Sequence, residues 1–333
     1  MTPYERYRAM IDGTPKEHVP RIPILMHFAA RYAGVSYGDF AEHHATLVAA
    51  NLKIASDFGS DILDVMSDPY REMVDWGGQV EYLPDAVPRC VRAPLAEAKD
   101  LRGLVKPRIV AGTRMANAIQ AIQAYKESQR QHYGITGWVE GPAAEAGVLR
   151  GHEAFLIDLM TDEVYAGELM DRCVDVAISF AQAQIQAGAD TIGVGDAIVS
   201  QMSPDLAGRM VQPRQARLVD AIHEMGGLVR LHICGKIDHL MEIIKSLHVD
   251  ILDCDWMVDM ARARDVLGTD VTLGGNLDPV NAVMKGTPES IRDDLQRVYE
   301  AVGNPWLVNA GCEIPADTPH ENLKALCEPI PVI

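Results

Sequence analysis

A (β/α)8 TIM barrel is the fold class that this α/β sequence predicts, and three observations predict it. Eight short apolar runs alternate with stretches of helical pattern along the 333 residues, the order of a parallel sheet wrapped by helices. The length suits one such barrel. A doubly wound open sheet would want Gly-x-Gly-x-x-Gly after an early strand, and none follows the first two runs; Gly193-Val194-Gly195-Asp196 lacks the third glycine. No low-complexity linker divides the chain, so residues 1–333 are expected to form a single domain with an N-terminal helical cap.

The elements follow in order. Residues Thr2–Asp12 read as the cap helix, and Pro20–His27 as the first buried strand. Asp39–Phe58 is alanine-rich and free of Gly and Pro, so it is helical. Asp61–Met66 is the second strand, and Trp76–Tyr82 a turn and small hairpin. Thr113–Tyr133 is helix, Gly134–Val139 the third strand, and helices are expected at Ala143–Leu149, Glu153–Met160 and Asp162–Gln186. Thr191–Gly195 is the fourth strand, and Pro204–Met225 a helix broken near Pro213. Leu228–Gly235, Ile251–Asp255, Val271–Gly275 and Trp306–Ala310 complete the strands. Helices are expected after them at Ile237–Leu247, Met257–Leu267, Pro288–Val302 and Asn322–Cys327.

Composition bounds the function. Hydrophobic content of 48% and charged content of 23% match a soluble globular enzyme. A net charge of -17 argues against nucleic acid as a partner. The six cysteines are sparse and irregularly spaced, unlike a disulfide framework, so reduced thiols and a cytoplasmic setting are expected. The polar start Met1–Arg8 has no signal-peptide core, and no run of about 18 apolar residues predicts a membrane span.

Barrel enzymes place their chemistry at the C-terminal ends of the strands. There the run Leu228–Gly235 presents His232 and Cys234 two apart, and period-two alternation turns them to one face. An imidazole and a thiolate make a borderline-soft, zinc-like pair. Cys312 after Gly311 ends the last strand, and a His-Cys-Cys set with an open fourth position is the catalytic zinc arrangement. The loop carrying Cys312 must then bend inwards. Cys90, Cys173 and Cys327 read as small buried hydrophobes. Cys254 is compatible with ligand or core, and Asp196 and Asp68 with helix caps.

Trp138-Val139-Glu140-Gly141-Pro142, Gly188-Ala189-Asp190 with Gly193-Val194-Gly195-Asp196, His232-Ile233-Cys234-Gly235, Gly275-Asn276-Leu277-Asp278-Pro279 and Gly311-Cys312-Glu313-Ile314-Pro315 together resemble the uroporphyrinogen decarboxylase superfamily, from about Tyr4 to Leu326. The resemblance implies a TIM barrel. Decarboxylases of the superfamily carry Arg-Gln-Ala-Gly-Arg near the N-terminus; here Met26–Tyr32 places His27 at the first arginine and keeps only Arg31. The corrinoid-dependent methyltransferase branch carries His-x-Cys and a later Cys as zinc ligands, matching His232, Cys234 and Cys312.

That branch implies a zinc-dependent methyltransferase. It would move a methyl group between a small substrate and the cobalamin of a separate corrinoid protein. The substrate would be a methoxylated aromatic, methanol, a methylamine or a thiol such as coenzyme M. Asp196, Glu140 and Asn276 would orient substrate or assist proton transfer, and the fourth zinc ligand would be Asp255, Cys254, Glu313 or the substrate. No Asp-x-His-x-x-Gly stretch occurs, so the corrinoid would come from the partner. Two copies could pair as a homodimer. The alternative is a cofactor-free decarboxylase acting through Asp68, and a third reading is a non-catalytic corrinoid-binding barrel.

Overall fold

The computed structural model describes residues 1–128 and 132–332. Among them, seven parallel strands form one sheet. They are β1 (Ile62–Asp64) and, beyond the antiparallel hairpin β2 (Gln79–Leu83) and β3 (Ala86–Arg92), β4 (Gly134–Glu140), β5 (Thr191–Gly195), β6 (Leu228–His232), β7 (Ile251–Asp253), β8 (Thr272–Gly274) and β9 (Trp306–Leu307). Their order in space is their order in sequence, β1-β4-β5-β6-β7-β8-β9. Nearly every residue of these strands is buried, as expected where helices cover a parallel sheet.

The register matters more than the strand lengths. Glu140, Gly195, His232, Asp253 and Gly274 are successive partners across β4 to β8. Side chains that end different strands therefore stand in one row. The helices lock that row from outside. The amide of Gln184, on helix Glu163–Ala187, accepts from the Trp138 N–H at 2.8 Å and donates to the Trp138 carbonyl at 3.0 Å. At the other end of the sheet, Tyr7 of helix Pro3–Ile11 meets Thr191 at 2.9 Å, so the N-terminal helix covers the strand starts.

One expected strand is corrected. Pro20–His27 joins no ladder, and Met26 already begins the helix Met26–Ala33. Pro20 and Pro23 have no N–H to donate, which leaves a single parallel bridge from Arg21 to Val308. The segment still runs between the two edges of the sheet. Pro20 O and Ile22 N pair with Val308, and Arg21 O accepts from Asp61 N just before β1, each at 2.8 Å. Both edges reach the same segment, so the seven-stranded sheet is strongly curled.

Other elements shift in smaller ways. Asp39–Phe58 divides into Tyr37–Glu42 and His44–Phe58, because Ser36 caps a first helix whose chain turns extended at His43. The break near Pro213 is a π turn over Ala207–Val211, placed where the proline removes a backbone donor. The helix expected over Thr113–Tyr133 spans Arg114–Ser128, and positions 129–131 lie outside the described residues. The small hairpin is longer than expected, reaching Arg92. Among the described residues no helix is long and apolar enough to cross a membrane.

Candidate metal centre

His232 is the last residue of β6, and Cys234 follows in the turn made by Gly235. Cys312 comes from the far side of the sheet. Its loop bends inwards because Gly311 lies against the Trp256 N–H and Asp255, where an added Cβ would stand 2.3 Å from that nitrogen. His232 Nε2 stands 2.9 Å from Cys234 Sγ and 3.8 Å from Cys312 Sγ, and the sulfurs are 3.5 Å apart. No other His, Cys, Asp or Glu joins this group among the described residues.

The three donors fit a zinc ion. Ligand bonds of about 2.3 Å to sulfur and about 2.05 Å to nitrogen at tetrahedral angles imply edges of about 3.8 Å and 3.6 Å. The 3.5 Å and 3.8 Å separations to Cys312 lie within about 0.3 Å of these edges, and the 2.9 Å His232–Cys234 contact would open by about 0.7 Å to admit the ion. The surroundings fit as well. His232 Nδ1 lies 3.1 Å from Asp253 Oδ2, and Arg230 Nε donates to that same oxygen at 2.8 Å. A carboxylate on the far nitrogen fixes the tautomer that leaves Nε2 free to bind a metal.

Electrostatics favour a thiolate. The thiol of Cys234 and the imidazole of His232 hold Cys312 down to about 4, against the opposing effect of burial. Burial disfavours a charged His232, yet Cys234 and Asp253 outweigh it and raise its pKa well above the ordinary value. Burial likewise pushes Asp253 up, and Arg230 with His232 pulls it below the usual carboxylate range.

A cavity of about 170 Å³ opens beside the triad. Met26, Met66, Pro69 and Trp138 make its walls largely apolar, and Glu140, Asp68 and Glu313 add carboxyl groups. Trp138 lies across Gly193, where any Cβ would meet its ring at 2.1 Å, and faces His232 at 6.0 Å between ring centres. Its Nε1 donates to Glu140 at 3.2 Å.

The candidates of the sequence separate into two groups. His232, Cys234, Cys312 and Glu140 line the cavity. Asp196 does not: it is fully buried and caps helix Pro142–Arg150, accepting from the Ala144 N–H at 2.7 Å and from Gln215 at 2.8 Å. Asn276 donates to the carbonyls of Asp255 and Val258 and so holds the loop behind the site. Asp255 accepts from Gly235 and Trp256, and Glu313 accepts from His27. Cys254 is fully buried. His27 sits at the rim near Asp85, and Arg31 pairs outside with Asp317.

Sequence reasoning missed Arg230, the buried glutamates Glu72 and Glu145, and the cavity role of Trp138. A signal existed for Arg230: an arginine inside an apolar strand, two residues before His232, shares the histidine's face.

The fold is a curled parallel sheet with three soft donors at its strand ends that could hold a metal ion. The chain belongs to the uroporphyrinogen decarboxylase (URO-D) family, whose model matches residues 2–330. It is 28% identical to the methylcobamide:CoM methyltransferase MtbA of Methanosarcina acetivorans, covering 98% of this chain and 97% of that protein. It is 31% identical to the uroporphyrinogen decarboxylase of Syntrophotalea carbinolica over 50% of this chain and 48% of that one. The fold matches a solved methyltransferase from Methanosarcina mazei with a TM-score of 0.89, 21% identity and coverage of 98% and 97%.

Proposed function

We propose that the protein is a zinc-dependent, corrinoid-dependent methyltransferase. It moves a methyl group between a small substrate and the cobalamin of a partner corrinoid protein. The observation that carries this reading is the His232–Cys234–Cys312 triad, whose donor atoms converge beside a small cavity with no fourth such ligand among the described residues. Full-length likeness to a methylcobamide:CoM methyltransferase supports it. In the same reading the chain is a single domain, and Pro20–Leu25 stands as the eighth element that closes a TIM barrel.

Zinc held by the triad would supply Lewis acidity, lowering the pKa of a bound thiol or polarising an ether or alcohol oxygen. The chain's own residues do the rest. Asp253 and Arg230 hold the His232 ring in orientation. Trp138, Met26 and Met66 exclude water and leave room for a small substrate. Burial and the neighbouring Glu72 push Glu140 well above the usual carboxyl range. The shift favours its protonated form at the cavity wall, where a carboxyl can exchange a proton with the substrate's reacting atom. Asp196 and Asn276 act as positioning residues for the loops that frame the site. Met257 is exposed where it lines the adjoining cleft, and the neighbouring Trp256 is exposed beside it, where a corrinoid domain would approach. Methyl transfer is an in-line displacement, so positioning dominates its rate.

A cofactor-free decarboxylation of a poly-acid has less support. The cavity is too small for a tetrapyrrole with several acidic arms, and Arg31 is committed to Asp317 outside it. The test is methyl transfer from methoxyarenes, methanol and methylamines to cob(I)alamin, and from methylcobalamin to thiols. Turnover that is lost on chelation and in Cys312→Ala is the expected result. Turnover that survives both would overturn the zinc assignment.

A further inference from the structure

Four positive elements near the cavity are already neutralised by a carboxylate of the chain itself, and the buried Arg71 is spent on the Val65 carbonyl and the Ser67 hydroxyl. Arg114 is held in a bidentate pair by Asp68 at 2.7 and 2.8 Å. Arg230 is bound to Asp253 at 2.8 Å. The N-terminus of helix Pro142–Arg150 is filled by Asp196, through the Ala144 N–H. The N-terminus of helix Met26–Ala33 is filled by Glu313, through the His27 N–H at 2.8 Å. Helix N-termini and arginines are the usual receptors for an anion. Here all four are taken.

Nor does a free cation reach the cavity. Among the described residues no Lys or Arg lines it, nor the adjoining cleft that runs from Cys234 past His152 and Gln201. Apart from the triad and His152, the titratable groups that line them are carboxyls: Asp68, Glu140, Glu313 and Asp255. A sulfonate, carboxylate or phosphate bound here would lose its water and gain no partner, which is strongly unfavourable.

We infer that this site takes a small uncharged molecule that reacts at oxygen or sulfur, and rejects substrates bearing an anionic group. The inference rests on the methyl-transfer reading and narrows its substrate class. It parts this chain from an acceptor such as coenzyme M, a thiol that carries a sulfonate. Ethers, alcohols and neutral thiols satisfy both demands of the site, a lone pair for the metal pocket and an apolar body for the walls of Met26, Met66 and Trp138.

Three thiols of matched size test it by calorimetric titration of the zinc-loaded full chain: 2-sulfanylethanol, 2-sulfanylethylamine and 2-sulfanylethanesulfonate. The neutral thiol is expected to bind about tenfold or more tighter than the sulfonate, as an uncompensated buried charge demands. A sulfonate that binds equally or more tightly overturns the inference, and so does failure of all three to bind. A second arm places a cation in the wall with Met66→Arg. The sulfonate should then gain about fivefold or more relative to the neutral thiol, and an unchanged ratio in the folded variant overturns the electrostatic account. Methylation of the bound thiols by methylcobalamin is scored separately. Discrimination in binding with no methylation of these thiols, and no methyl transfer from ethers, alcohols or amines to cob(I)alamin either, leaves this inference standing and sinks the methyl-transfer reading.

Discussion

The two sides of the cavity handle buried charge in opposite ways. On the β6–β7 side every charge has its counter-charge: Arg230 holds Asp253, and Asp253 holds His232. The carboxylate stays ionised there, pulled below its ordinary range despite full burial. On the β4 side, Glu72, Glu140 and Glu145 crowd together, and burial raises all three. Glu145 is 2% exposed and both of its side-chain oxygens lack a hydrogen-bond partner. Identical chemistry thus yields a fixed anion on one side and a proton store on the other. The difference is the arginine, because an ion in a low-dielectric interior persists only with a partner. The paired side orients the candidate ligand His232, while the unpaired side favours the protonated form of Glu140.

The comparison can be broken from its strongest side first. Asp253→Asn keeps the shape but removes the charge that orients His232, so zinc affinity should fall about tenfold to a hundredfold. Competition with a chromogenic chelator measures it, and unchanged affinity would show that Asp253 only offsets Arg230. On the unpaired side, Glu145→Gln should stabilise the protein at neutral and higher pH by about 1–3 kcal/mol, because the amide is neutral in the interior without taking up a proton. The sign follows from the raised pKa. Glu145 faces Glu72, Glu140 and Asp75, and its folded pKa lies well above the ordinary 4.5. Its stability contribution is complete below that unfolded value and is lost as pH rises toward and through the folded one. Denaturant midpoints at about pH 5 and about pH 8 should therefore lie closer together in the variant than in the parent. A spread equal to the parent's would place the proton on another glutamate. The smallest effect belongs to Arg31→Ala. The arginine is 56% exposed and its Asp317 partner 70% exposed, so stability should change by less than about 0.5 kcal/mol. Methyl transfer should be unaffected, and a marked loss of turnover would bring the helix Met26–Ala33 into substrate binding.

Much of this was legible along the chain. Six of the eight expected strands coincide with ladder strands to within a residue or two at most ends, because short apolar runs between Gly and Pro have few alternatives. The two exceptions have local causes. Pro20 and Pro23 deny the first run its donors, and the last run pairs only at Trp306–Leu307 before single bridges at Val308 and Ala310. His232 and Cys234 could be read as a pair from their spacing alone. The opposite fate of Asp196 and Glu140 could not. Both stand at the C-terminal end of a strand, yet one turns into a helix N-terminus and the other faces the cavity.

What the sequence by itself determined is the alternation of strand and helix, the apolar faces, and the ligand types with their places at strand ends. These depend on neighbours within a few residues, where period and turn chemistry act directly. Only the tertiary structure decided which ends meet. The close approach of Gly311 to Trp256 swings Cys312 across to Cys234 over 78 residues of chain. The shared register sets the Glu140 carboxyl, the candidate ligand His232 and its partner Asp253 in one row. The pairing of Arg114, Arg230 and two helix ends with internal carboxylates is likewise a matter of space. Charge compensation works over a few ångströms and takes no account of sequence distance, so the cavity's preference for an uncharged guest is written in the fold.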